Sequence, residues 1–415
     1  MEKVMRQVVE KTKQRLGGFL QTDIDYLLSG GSALLAGQFS SLFFSFLLSI
    51  AFAHYLLPET YGVYKYILSL SGLIWMLSLS GSGTAVVRAI AKGFEGSYLQ
   101  AFWMNLKWNA FISLVCAGAA GYYFFAGNTI LASGLLVAAI FSPIIKSAEL
   151  YGPFLNGKKE FKKASIATGL RGFITAAVLL STLAFARDPV ILVLAFFIAN
   201  AAITAATFLF TIFFMRPNKE VDPESSSLAK HTSVMKFFAG VAESIDNILV
   251  FHYLGAAELA LYSFIVLIPN QVTGMTKHLM TLAIPKFAER ERSLVQKNLF
   301  RKSFMVFLAL FAVFLAYVLS AHWIFATFFP RYMDAVFYSQ VYALIVLANG
   351  VFSTALLDAR VAIFEKYKLT TLSVAIKIVL IFTGVYYFGL WGLILGRILS
   401  KTINMFLVFW FAKNL

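Results

Sequence analysis

Runs of apolar residues long enough to cross a bilayer, each ended by a short polar connection, constrain this chain more than any other feature. In hydrocarbon a segment must satisfy its own backbone polar groups, and a helix of about 20 residues is the unit that does so. Six such runs lie at about 31–54, 61–86, 104–126, 128–150, 164–186 and 189–215. Six more lie at about 234–254, 257–283, 303–325, 337–357, 369–388 and 390–412. Between the sets runs a polar stretch, MRPNKEVDPESSSLAKH, from Met215 to His231. The predicted fold class is an all-α polytopic membrane protein with about 12 transmembrane helices. It comprises an N-terminal six-helix lobe over 1–215, a cytoplasmic linker over 216–231 and a C-terminal six-helix lobe over 232–415. The composition agrees, being 60% hydrophobic and 13% charged with 43 Phe, where a soluble domain is nearer half apolar and a quarter charged. Met1 to Asp25 is polar and basic, so no cleavable signal is expected. Cys116 is the one cysteine, which excludes a disulfide framework within the chain.

The connections test the helix count, because one missed span would invert every later loop. Lys3, Arg6, Lys11, Lys13 and Arg15 fill the N-terminal tail, and Arg88, Lys92 and Lys107 the second connection. Lys158, Lys159, Lys162 and Lys163 fill the fourth, and Arg216, Lys219, Lys230 and Lys236 surround the linker. Lys286, Arg290, Arg292, Lys297, Arg301 and Lys302 fill the eighth, and Arg360, Lys366 and Lys368 the tenth. The alternate connections carry Arg187 and Arg331 alone. The positive-inside rule then places both termini in the cytoplasm, and the expected location is the inner membrane. It also accounts for most of the net charge of +15 without nucleic acid.

The two sets of helices are copies of one unit. His54-Tyr55-Leu56 returns as His252-Tyr253-Leu254, and at the same spacing Ile50, Tyr64 and Ile67 return as Ile248, Tyr262 and Ile265. Further on, the stretch 151–173 aligns with 360–379, so that Phe161 meets Tyr367, Lys162 meets Lys368 and Arg171 meets Lys377. Each copy has an even number of helices. The repeat is therefore parallel, related by an axis along the membrane normal. Two such bundles meeting along a seam leave a central cavity for a substrate.

Charges inside the apolar runs are the candidate site, since each costs roughly 2.5–3.5 kcal/mol at bilayer depth and normally faces a cavity or partner. Arg171 and Lys377 are matched cations about two turns in from the cytoplasmic end. Facing each other across the seam they would suit an anionic, phosphate-bearing head group; the alternative is that each snorkels to the surface. Lys277 and Gln38 are further candidates for that cavity. Glu243 and Asp246, with Asn247 beside them, share one face of the seventh helix. They read as a proton or sodium coupling site, or as a structural ion pair with Lys236 or Lys277 as partner. Lys146 and Glu149 can neutralise each other at i,i+3. Lys65, Arg397 and Lys401 read as snorkelling or paired. Asn105, Asn109 and Asn200 suit interhelical hydrogen bonds, and the SGSG run at 80–83 permits close packing or bending. No metal-ligand spacing, nucleophile elbow or nucleotide loop is present, so catalysis and ATP-driven transport are not expected.

AHYLLPETYGVY (53–64), its echo DNILVFHYLGAAELALYS (246–263) and GKKEFKKASIATGLRG (157–172) resemble the Wzx-type polysaccharide biosynthesis flippases, in the superfamily of the MATE drug exporters and lipid II flippases. The resemblance covers nearly the whole chain. It implies V-shaped alternating access between the lobes and outward flipping of a polyprenyl-pyrophosphate-linked oligosaccharide, its pyrophosphate held in a cationic cavity. It implies no cofactor beyond a proton or sodium gradient, and glycan polymerase or glycosyltransferases as partners beside the lipid bilayer. Asp246 matches an acidic position common in the family, but Ile245 and Asn247 stand where a neighbouring base is more usual. A MATE-like exporter of small cations is the alternative transporter; a scaffold or polymerase-like partner in envelope assembly is the alternative outside transport.

Overall fold

A computed structural model describes residues 32–281, 292–349 and 363–414. Every regular element among the described residues is helical. In the first copy, α1 (Ser32–Tyr55) ends where Leu57 is forced into extended backbone ahead of Pro58, the first residue of α2 (Pro58–Trp75). The sequence predicts one helix over 61–86. The structure breaks it after Trp75 and resumes it as α3 (Ser82–Ala91). The intervening Ser-Gly run is a weak helix former, and side chains of other helices take the carbonyls it frees. Trp108 Nε1 donates to the Leu77 carbonyl at 2.8 Å, and Lys236 Nζ to that of Ser80 at 3.3 Å. Then come α4 (Gly96–Phe125), α5 (Thr129–Ala148), the short α6 (Tyr151–Gly157), α7 (Phe161–Phe185) and α8 (Pro189–Met215). Asn128 caps α5 and Asp188 caps α8, each accepting from the backbone of the first turn.

The second copy opens with α9 (Ser225–Leu254), which begins within the stretch expected to be linker. What precedes it is strapped to the first copy. Arg88 pairs with Glu224 at 3.1 Å and Lys92 with Asp222 at 3.5 Å. The Gly96 N–H donates to the Glu220 carbonyl, and the Asp222 N–H to Ser97 Oγ. After Gly255, at φ 96°, come α10 (Ala256–Ile265) and α11 (Leu267–Thr281), bent by 46° where one helix was predicted over 257–283. There follow α12 (Arg292–Phe328), a 3₁₀ turn at Pro330–Tyr332, α13 (Ala335–Tyr342) and a 3₁₀ stretch to Asn349. The last element, α14 (Ile363–Asn414), folds back on itself at Gly389, whose φ of 57° only glycine adopts without strain. Its halves meet where Gly384 and Gly392 lie backbone to backbone. The sequence places this break correctly, between 388 and 390.

Seven described helices are long and apolar enough to cross a membrane, or eight if the bent pair α10–α11 is one span. The protein is a multi-pass membrane protein. One core joins the copies, with α2 of the first packed along α9 and α10 of the second. The contact is close: a Cβ added at Gly62 would lie 1.8 Å from the Ala256 carbonyl oxygen. At the end away from the basic loops, aromatic rings close the seam. Tyr61 and Phe264 lie 5.2 Å apart, Phe264 and Tyr332 4.1 Å, and Phe46 and Phe329 5.8 Å. Arg331 Nη1 donates to the Leu56 carbonyl across the same end.

Candidate functional site

Among the described residues two charged clusters lie between the helices, one in each copy. In the first, Lys146 ends α5 and Glu149 follows one turn later, so the spacing brings them to 2.9 Å. Arg171, near the middle of α7, reaches the same carboxylate at 2.7 Å. Its Nε donates to Asn200 Oδ1 on α8 at 2.9 Å, while Asn200 Nδ2 donates to the Phe196 carbonyl. The Lys146 ammonium lies 4.7 Å from the Trp75 ring centre, and that indole N–H donates to Ser142 Oγ. Trp75 closes α2, the helix that packs along the second copy, so the cluster stands just behind the seam. The side chains remain partly exposed, at 22% for Lys146, 35% for Glu149 and 27% for Arg171. Two cations thus share one carboxylate and leave a net positive charge. An arriving phosphate could compete with Glu149 for the planar fork of Arg171.

The second cluster belongs to the second copy alone. Asp246 on α9 pairs with Arg397 Nε on the latter half of α14, and the Tyr262 hydroxyl donates to Asp246 Oδ2 at 3.0 Å. The Asp246 side chain is only 3% exposed. The matching residue of the first copy is Leu48, so no carboxylate repeats there. The partner expected for the acids, Lys236, instead turns toward the α2–α3 break, where it holds Ser80 and the Thr84 hydroxyl. Arg397, read from sequence as snorkelling or locally paired, is the partner of Asp246. The pairing joins residues far apart in the chain, which periodicity does not reveal; the signal open to sequence was that both are charges at depth in one copy.

The remaining candidates scatter. Asn247 follows Asp246 but faces the other way, donating to Ser69 Oγ on α2 at 2.8 Å across the seam. Gln38 is half-buried on α1, next to Gly37, where α1 presses on the Ser165 backbone of α7. Lys377 is half-buried on the first half of α14. The described partners of Arg171 all come from its own copy, and Lys377 is not among them. The side chains of Glu243 and Lys277 lie outside the described residues. Glu149, read from sequence only as neutralising Lys146, proves to be the acceptor for Arg171 as well. Asn105 and Asn109 do make interhelical bonds, accepting from Ser82 and donating to Ser147.

The fold has solved counterparts. The chain is similar to a multidrug resistance MATE family transporter of the MOP superfamily in its inward-facing conformation, with TM-score 0.74 and 14% identity over 90% of this chain and 94% of that one. An outward-facing conformation of a transporter so described gives TM-score 0.70 and 15% identity over 95% and 96%. A MATE structure in complex with MaD3S gives 0.67 and 14% over 94% and 96%. These likenesses establish a MATE-like fold. No curated protein matches the chain. Residues 27–289, more than half of the sequence, match the family described as "Polysaccharide biosynthesis protein", and with the helical architecture in agreement the chain belongs to that family.

Proposed function

We propose that this protein flips a polyprenyl-pyrophosphate-linked oligosaccharide across the inner membrane, from the leaflet at its basic end to the opposite leaflet. The observation that carries the reading is the partly exposed Lys146–Glu149–Arg171 cluster beside the seam, with Lys377 as its counterpart in the second copy. A pyrophosphate needs cations that can exchange partners, and a carboxylate shared between two bases is readily displaced. The lipid tail must stay in hydrocarbon while the head crosses, so a pore would not serve; two lobes rocking about a central site would. The aromatic closure at the end away from the basic loops fits the state that is open to the cytoplasm. Family membership supports the glycan. The basic loops support cytoplasmic termini, with residues 1–215 and 232–415 as the two lobes.

Export of drug cations, the alternative transport reading, would need an accessible acid. Asp246 is buried and neutralised by Arg397, which favours an anionic cargo. Lipid-linked glycan at the cytoplasmic face, measured in cells lacking the native gene, tests the assignment. Arg171→Ala and Lys377→Ala should each leave the protein in the membrane and raise the glycan at least tenfold over wild type. Normal export by the double variant would remove the cationic site.

A further inference from the structure

Beside the α2–α3 break lies a groove of about 790 Å³ that neither the cluster nor the closure uses. Its floor and walls are apolar, with Met76, Met104, Val234 and Phe237 among them, while Lys107 and Lys230 stand at its rim. Both lysines are exposed, and no acid is among the described residues that line the groove. Trp108 lines it too, its indole N–H fixed on the Leu77 carbonyl, and Trp103 is exposed one turn earlier on α4. Exposed tryptophans next to lysines mark the head-group level of a bilayer, where an amphipathic ring has one end wet and one apolar. The groove is a formed feature. Gly81 lets α9 approach until an added Cβ would stand 2.3 Å from the Ala229 carbonyl oxygen, and the Gly81 N–H donates to Ser233 Oγ at 2.9 Å.

We infer that this groove holds an anionic phospholipid of the surrounding bilayer, its phosphate between Lys107 and Lys230 and its chains along Met76, Met104 and Phe237. Charge complementarity selects an anion, and basic pockets between membrane helices are the usual seats of anionic head groups. The apolar floor selects a lipid over a soluble anion. The volume is that of a drug-sized site, which suits a head group with the upper part of its chains and not an oligosaccharide. One wall belongs to the α2–α3 break and α4 of the first copy and the other to α9 of the second. A lipid seated there ties the copies together, and it stabilises whichever arrangement keeps the two lysines close.

Native mass spectrometry of the full chain, titrated with phosphatidylglycerol or with phosphatidylcholine of the same chains, tests this. One phosphatidylglycerol should bind specifically, and Lys107→Gln with Lys230→Gln should weaken it about tenfold while the phosphatidylcholine adducts stay unchanged. Val234→Trp, which fills the groove with both lysines kept, should weaken it as much. Lys162→Gln with Lys163→Gln, an equal loss of charge elsewhere at the same end, should not. Equal binding by wild type and the groove double variant, or an equal loss in Lys162→Gln with Lys163→Gln, overturns the site. So does displacement of the lipid by an equal concentration of inorganic phosphate, which would make it a soluble-anion site. Preferential displacement by polyprenyl phosphate would reassign it to the transported carrier and overturn the bilayer-lipid assignment.

Discussion

Among the described residues two acids, Glu149 and Asp246, set the chemistry between the helices, and they are used differently. Glu149 is shared by Lys146 and Arg171 and stays partly exposed, whereas Asp246 is enclosed with Arg397 and Tyr262. Removing one member of a buried pair strands the other charge and typically costs about 3–5 kcal/mol, while neutralising both is far milder. Arg397→Gln should therefore lower the thermal unfolding temperature in detergent sharply, and Asp246→Asn in the same chain should restore most of the loss. A double variant no better than the single would mean that the two side chains act independently. In reconstituted vesicles the double variant also tests coupling, since an Asp246 that couples transport to an ion gradient should lose the gradient response with it. Sequence revealed these residues unequally. Lys146 and Glu149 were legible because i,i+3 on a helix enforces contact. Asp246 and Arg397 were visible as charges at depth but not as partners, because their contact depends on how α9 packs against α14.

At the scale of elements, the repeat was the most informative sequence signal. The echo of His54-Tyr55-Leu56 in His252-Tyr253-Leu254 marks the corners α1–α2 and α9–α10, and the helices after those corners are the ones that pack together. The boundary between the runs at 369–388 and 390–412 also located the turn, which the structure puts at Gly389. The α2–α3 break was less legible. Its Ser-Gly run was visible, but the hydrogen bonds that hold the freed carbonyls come from Trp108 and Lys236, on other helices. The start of α9 was obscured for a similar reason: 225–231 is polar because it is the exposed first part of a helix. Gly62 carries a consequence for closure. With Cys116 replaced, Tyr61→Cys and Phe264→Cys joined by a short bismaleimide report the aromatic seal. Adding Gly62→Ala pushes α2 off the Ala256 carbonyl and should cut the yield several-fold. An unchanged yield would mean that the seal does not depend on this approach.

For the molecule as a whole, a MATE-like helical architecture goes with membership of the polysaccharide biosynthesis family. The helix pattern, the loop charges and the duplication were enough to read that architecture from sequence, because in a bilayer they are tightly coupled: length fixes the span, and charge fixes the side. Cargo is less constrained. It depends on a few polar side chains whose partners come from different helices, and the fold tolerates many such sets.

The strap over residues 218–224 bears on how the halves cohere. Because that segment is pinned by Arg88, Lys92 and Ser97 of the first copy, it cannot serve as a slack tether, and the covalent bond through it does little to hold the molecule together. Two polypeptides divided just after Pro217 and produced in the same cell should find each other in the membrane and co-purify, with the severed end still fastened where it lies. Salt at about 1 M, which shortens the Debye length to about 3 Å, should loosen that fastening while leaving the greasy contact between α2 and α10 intact.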